Sequence, residues 1–187
     1  MGLLASGVAN LVADETAWRA GGRDLLFRAP RLRAIPATGA QAAGIQSCFD
    51  ATPDYFVRTS GRPPGPDDAV RLLADAEADP DRRVFLLVPR SGGPALGVLD
   101  LHLDYPEPRA AHIGLLLVRQ PCQGMGFGKE TAAALEGALR RRGYRTLRLS
   151  VGDENPGARA FWERLGFAEA GRLDRGITVY EKPLRGP

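Results

Sequence analysis

The run "AAHIGLLLV" (110–118) and the stretch that leaves it, "VRQPCQGMGFGKET" (118–131), constrain the fold of this chain most. Nine residues that are almost all apolar, bounded by polar segments, read as a central strand buried on both faces. The glycines that follow, Gly124, Gly126 and Gly128, open directly into a helical pattern from about residue 126 to 142. Leu135 and Leu139, with several alanines, make its apolar stripe. Arg140, Arg141 and Arg142 suit the negative end of its dipole, and Gly143 can close it. A buried strand, a bare turn and an amphipathic helix in mid-chain require a sheet covered by helices.

The flanking segments agree. "RLRAI" (31–35) reads as a strand, and "ATGAQAAGIQSCFD" (37–50) as a helix after Thr38. "TSGRPPGPDD" (59–68) is a Pro/Gly loop whose last aspartates cap the short amphipathic helix "AVRLLADAEA". "RVFLLVPR" (83–90) and "ALGVLDLHLDY" (95–105) read as a hairpin around "SGGP". In the second of these strands Leu99, Leu101 and Leu103 face one way, and Asp100, His102 and Asp104 the other. "RTLRLSV" (145–151) is a strand, "NPGARAFWERLG" a short helix, and "ITVYEK" (177–182) a final strand. Hairpins followed by strand–helix–strand–helix–strand predict one α/β (mixed α+β) domain over residues 30–187. Residues 1–29 read as a loosely attached extension with a short helix near Asp14–Arg19.

Composition narrows the function classes. At 187 residues with 25% charged side chains, the chain suits a single globular domain. The net charge of +3 is spread along the sequence, too mild to argue for nucleic acid and suited to a small anionic ligand. No apolar run approaches the roughly 18 residues that span a bilayer. "MGLLASGVANLV" lacks a basic flank and makes a poor signal peptide, and "MGLLAS" fits the short, common myristoylation pattern. Cys48 and Cys122 make no disulfide framework, and a reduced cytoplasmic setting is expected. His102 and His112, with no cysteine pair nearby, do not suggest a metal site.

Three glycine-loop patterns compete for residues 118–131. A nucleotide P-loop fails because Glu130 follows Gly128-Lys129 where a hydroxyl belongs, and because Gln123 stands where its first glycine should be. The dinucleotide fingerprint fails at its third glycine, which is Lys129 here. The pattern [QR]-x-x-G-x-[GA] fits Gln123 to Gly128 without a gap. In such a loop, successive backbone N–H groups and the helix N-terminus converge on one spot and can cradle a pyrophosphate. Taken alone, the hexapeptide serves equally as a tight strand-to-helix turn.

Twenty-seven residues after Gly128 stands "NPGARAFWERLGF" (155–167). With the glycine loop it resembles the GNAT superfamily of N-acetyltransferases, whose second motif is of the type N-x-x-A-x-x-h-Y-x-x-x-G-F. Asn155, Ala158, Phe161, Gly166 and Phe167 fall on that motif. The resemblance implies a mostly antiparallel mixed sheet of about six to seven strands flanked by about four helices. It also implies acetyl-CoA as the acyl donor. Gln123, Gly124, Met125, Gly126, Phe127, Gly128 and Lys129 would cradle the pyrophosphate, with Arg159 reaching a phosphate. Leu116, Leu117 and Val118 would pair with pantetheine like an added strand, a backbone N–H of Leu117 or Val118 polarising the thioester. Asn155 would hydrogen-bond the pantetheine.

The resemblance breaks where the family's usual acid, a tyrosine, is replaced by Trp162. An indole N–H donates a hydrogen bond but is no acid near neutral pH, so Trp162 is expected against the cofactor arm. Either the thiolate leaves unaided, or water, Tyr180 or another tyrosine assists it. The resemblance also places His112 where some members carry a glutamate base, eleven residues before Gln123. Asp100, His102 and Asp104 are the other candidates, if their common strand face lines the acceptor pocket rather than meeting solvent. Cys122 reads as a bystander. The expected reaction is acetyl transfer to a primary amine on a small molecule or peptide, by direct attack. The alternative is a catalytically silent acyl-CoA sensor. A homodimer is compatible with the reading.

Overall fold

The computed structural model describes residues 27–174 and 176–184. Eight strands form one sheet in the order β1-β2-β3-β4-β5-β6-β8-β7. They are β1 (Phe27–Arg28), β2 (Leu32–Pro36), β3 (Arg82–Pro89), β4 (Gly97–Leu103), β5 (Ala110–Val118), β6 (Thr146–Gly152), β7 (Ala168–Leu173) and β8 (Ile177–Pro183). The helices are α1 (Ala42–Asp50), α2 (Pro53–Ser60), α3 (Asp68–Ala78), α4 (Phe127–Arg141) and α5 (Pro156–Arg164). Every strand pair is antiparallel except β5–β6.

Sheet alternation builds two cores. Leu99, Leu101, Ile113, Leu147 and Leu149 pack with Leu135 and Leu139 of α4 and Trp162 of α5. The opposite face carries Val84, Leu86, Val98 and Leu117, which pack with Ile45 and Phe49 of α1 and Leu73 of α3. The parity of β5 changes midway: Ala111 and Ile113 face the α4 core, but Leu117 faces the α1–α3 core. A bulge at Gly114 causes this, because Asp100 of β4 pairs with Leu115 while Leu101 pairs with Ile113.

Several expectations are corrected. Strand β5 is not buried throughout: Gly114 is exposed, and Leu115, Leu116 and Val118 are half-buried, because the strand loses its β6 neighbour there. Among the described residues the sheet has eight strands and five α-helices flank it, more than expected. Strand β7 ("AEAGRL") carries no alternating pattern and is exposed along its whole length. Helix α2 is only eight residues long and has no fully buried residue, although Tyr55 and Phe56 pack against the α1–α3 core. At the other end, Phe27 and Ala29 are core residues and Phe27–Arg28 pairs with β2, so the sheet begins inside the segment read as an extension. The helix expected near Asp14–Arg19 lies outside the described residues.

Candidate functional site: a cleft between two splayed parallel strands

Strands β5 and β6 pair only from Ala110–Thr146 to Ile113–Leu149. Beyond that they part, and a cleft of about 670 Å³ opens between them. One wall is β5 from Ile113 to Val118, and the other is Leu149 to Gly152 of β6 with Asn155, Ala158 and Phe161. The glycine loop and the start of α4 close one end.

The free edge of β5 has a definite pattern. A Cβ on Gly97 of β4 would collide with the Leu117 carbonyl oxygen, so the peptide groups of Leu117 point at β4. Alternation then turns those of Leu116 and Val118 towards the cleft. Of the two N–H groups expected at a thioester, that of Val118 faces the open side and that of Leu117 does not. The Val118 carbonyl already accepts a hydrogen bond from Gln123 Nε2 at 2.8 Å, which ties the glycine loop to the strand end.

Two glycines are required by space or conformation. Gly126 caps α4 with φ +84°, a conformation glycine adopts without the Cβ penalty. A Cβ on Gly128 would stand 3.2 Å from Phe161 Cζ, so its absence lets α4 and α5 approach across the end of the cleft. Gln123, Gly124, Gly126, Phe127, Gly128 and Lys129 all line the cleft. Met125 does not and is exposed.

The second motif sits opposite. Asn155 caps α5 by accepting from the Ala158 N–H at 3.2 Å, and it also accepts from Arg58 Nη1 at 3.3 Å. Arg58 belongs to α2, so this contact bridges the mouth of the cleft. Trp162 is 7% exposed. It stacks edge-on between Phe161 and Phe167, at 4.8 and 5.1 Å between centroids, and reaches the cleft with only part of its surface. Arg159 lies off the cleft wall; Asp153 Oδ1 holds its guanidinium at 3.1 Å.

The candidate bases lie beside the cleft rather than in its wall, and Asp104 accepts instead from the Arg109 N–H and the Tyr144 hydroxyl. Asp100 is buried, and both its oxygens accept from Arg82, at 3.0 and 2.8 Å. His112 stands opposite His102 across the β4–β5 pair and meets Tyr105 edge-on. Burial, then the charges of His102 and Arg148, push its pKa from the ordinary 6.5 down to about 4, against the pull of Asp100. That makes it a weak base. His102 is placed differently. Its Nδ1 faces Asp79 Oδ2 at 3.7 Å, and its Nε2 would lie 3.4 Å from a Cβ on Gly114, the exposed bulge residue in the cleft floor.

From the sequence, "TPDYF" offers Tyr55 and Phe56 as residues of the pocket mouth or as core or surface aromatics. Helix α2 brings Tyr55 to the cleft, packs Phe56 on Phe49, and adds residues the sequence does not single out. Asp54, Tyr55, Arg58 and Thr59 all line the cleft, as does Glu154 from the β6–α5 turn. The phenol of Tyr55 is held protonated, its pKa raised chiefly by burial. The available signal was "TPDYF": a threonine followed by proline, which opens a helix. Tyr180 is instead a core residue, 2% exposed, its hydroxyl donating to Glu163 Oε1 at 3.3 Å. Cys122 lines the cleft, while Cys48 is buried, with its thiol pushed up to about 11 by desolvation.

A bulged strand with a free edge, a helix N-terminus framed by glycines and a facing Asn-capped helix define a site for a long ligand with an anionic end. The comparisons agree with this class. The sequence profile of the "Acetyltransferase (GNAT) family" matches residues 46–167, and the chain belongs to that family. An acetyltransferase of known structure from Thermus thermophilus is 35% identical, with a TM-score of 0.75 over 81% of this chain and 96% of that one. A probable GNAT acetyltransferase from Chromobacterium violaceum is 19% identical and matches 98% of both chains with a TM-score of 0.74. A GNAT acetyltransferase from Bacillus anthracis, 14% identical, covers 85% of this chain and 98% of its own with a TM-score of 0.68. The family generally uses acetyl-CoA, and the residues present fit that cosubstrate: the glycine loop and the first residues of α4 line one end of the cleft, and among the described residues the edge of β5 has no strand partner along it. Among the described residues no group of three or more metal-ligating side chains comes together, and no helix is long and apolar enough to cross a membrane.

Proposed function

We propose that the protein transfers the acetyl group of acetyl-CoA to a primary amine by direct attack. The single observation that carries this reading is the free edge of β5 ending at the glycine loop, because it offers strand pairing and anion binding to one extended molecule. In the reaction the amine nitrogen forms a bond to the thioester carbon, the C–S bond breaks, and the amine loses a proton. The Val118 N–H is oriented to polarise the carbonyl as it becomes an oxyanion. Asn155 and the backbone of Leu116 would hold the pantetheine, and Gln123 to Lys129 the pyrophosphate.

The proton chemistry is assigned on geometry. An amine resembling lysine has a pKa near ~10.4 and must lose a proton to attack. Of the sequence candidates, His102 has the best position: Asp79 faces one nitrogen, and the other faces Gly114 at the splay point. Histidine is suited to this transfer near neutral pH. Asp100 is committed to Arg82, and His112 is too weak a base. Tyr55, protonated and in the cleft wall, takes the place of the acid missing at Trp162 and supplies a proton to the thiolate. Asp54 and Glu154 give the acceptor side two carboxylates suited to a cationic amine.

The test is thiol release from acetyl-CoA across a panel of small amines and peptides. Turnover by wild type is expected on some amine. His102→Ala should lose most of kcat, with coenzyme A binding unchanged. His112→Ala should lose little. Tight coenzyme A binding with no turnover on any amine would favour a silent acyl-CoA sensor instead. Equal loss in both histidine variants would remove the assignment of His102.

A further inference from the structure

One side chain outside both family motifs touches the glycine loop at several points. Arg31 lies in the bend between β1 and β2. Its backbone N–H donates to Glu130 Oε1 at 2.6 Å and its Nε to Glu130 Oε2 at 2.6 Å. Its Nη1 donates to the Met125 carbonyl at 3.0 Å, and its guanidinium carbon lies 4.3 Å from the centroid of the Phe127 ring. A Cβ on Gly126 would stand 3.4 Å from its Nη2. Arg31 therefore braces the loop and the first turn of α4 from outside the cleft.

Its partner gives this contact an electrostatic meaning. Glu130 lies in the first turn of α4, with its side chain only 13% exposed. A carboxylate at a helix N-terminus interacts well with the dipole. It also competes with any anion drawn to the same helix end. The charged side chains that line the cleft are Asp54, Arg58, Lys129, Glu154 and Arg164, whereas Arg31 pairs directly with Glu130.

We propose that Arg31 is a positioning residue for the pyrophosphate end of the cosubstrate, holding the glycine loop in shape and cancelling the Glu130 charge that would oppose the phosphates. The N-terminal hairpin β1–β2 thus becomes part of the donor site. The inference rests on the acetyl-CoA reading above.

The experiment is calorimetric titration of coenzyme A into the full-length wild type, Arg31→Ala, Glu130→Gln and the double variant. Pantetheine, which lacks the pyrophosphate and the nucleotide, is measured by competition. Arg31→Ala should weaken coenzyme A binding about five- to tenfold and leave pantetheine unchanged. The loss should shrink at high salt, which screens the Glu130 charge that the loss of Arg31 uncovers. Glu130→Gln keeps an acceptor for Arg31 and removes the charge, so it should bind coenzyme A at least as tightly as wild type. The double variant should recover most of the affinity lost in Arg31→Ala. Equal weakening of both ligands, or a double variant as weak as Arg31→Ala, overturns the proposal. If Arg31→Ala does not fold, Glu130→Gln decides alone, and weaker coenzyme A binding by it overturns the proposal. A wild type that binds no coenzyme A removes the acetyl-CoA reading and this inference with it.

Discussion

At the scale of single residues, glycine positions separate stability from function. Gly97 faces the Leu117 carbonyl, with no flexible side chain to yield. Gly97→Ala should cost about 3 kcal/mol, as overpacking against fixed backbone does, and urea unfolding checks it. Gly128 meets the tip of the Phe161 ring at 3.2 Å, which can shift. Gly128→Ala should therefore retain most stability and lose affinity for coenzyme A as Phe161 is pushed into the cleft. His112 makes a pH prediction. Its folded pKa is lowered to about 4 from an ordinary 6.5, so between those values the unfolded chain binds the extra proton. Stability must then fall as pH drops from about 6.5 towards 4. His112→Gln should flatten that part of the profile, and an unchanged slope in the variant would contradict the shift.

At the scale of elements, the cleft depends on α4 being fixed beneath it. Glu136 of α4 is buried, and both its oxygens accept from Lys182 Nζ of β8, at 2.7 and 2.8 Å. Lys182→Met would strand a buried carboxylate and should cost about 3 kcal/mol. Replacing both residues by methionine removes the stranded charge and should return stability close to wild type. The mouth of the cleft depends on α2, whose Arg58 reaches Asn155. This was the element hardest to read in advance. Its eight residues give barely two turns of periodicity, and only Tyr55 and Phe56 are available to pack against the α1–α3 core. Strand β7 was hidden for the same kind of reason: it is an exposed edge strand with no buried face to impose alternation.

At the scale of the whole molecule, what the sequence showed follows from which features are local. The glycine loop, the Asn-capped α5 and the order of strands and helices are written in short segments, and the structure assembles them around one cleft. The bulge at Gly114 is not local. It comes from a register shift against β4, and it decides which peptide groups face the cleft and which side chains flank its floor. The family resemblance therefore offered Leu117 and Val118 without separating them, and it put His112 first among the candidate bases, ahead of Asp100 and His102. Arg31 was invisible for the same reason, since its partner Glu130 is 99 residues away.

The central claim is that the cosubstrate extends β5 along its free edge and ends at the glycine loop. Residue-resolved amide hydrogen exchange, with and without coenzyme A, tests it most directly. New protection is expected at Leu116, Val118 and the amides of Gln123 to Lys129. Leu117, whose peptide groups already face β4, should not change. Protection confined to other strands, or a change at Leu117 without one at Leu116 and Val118, would contradict the account.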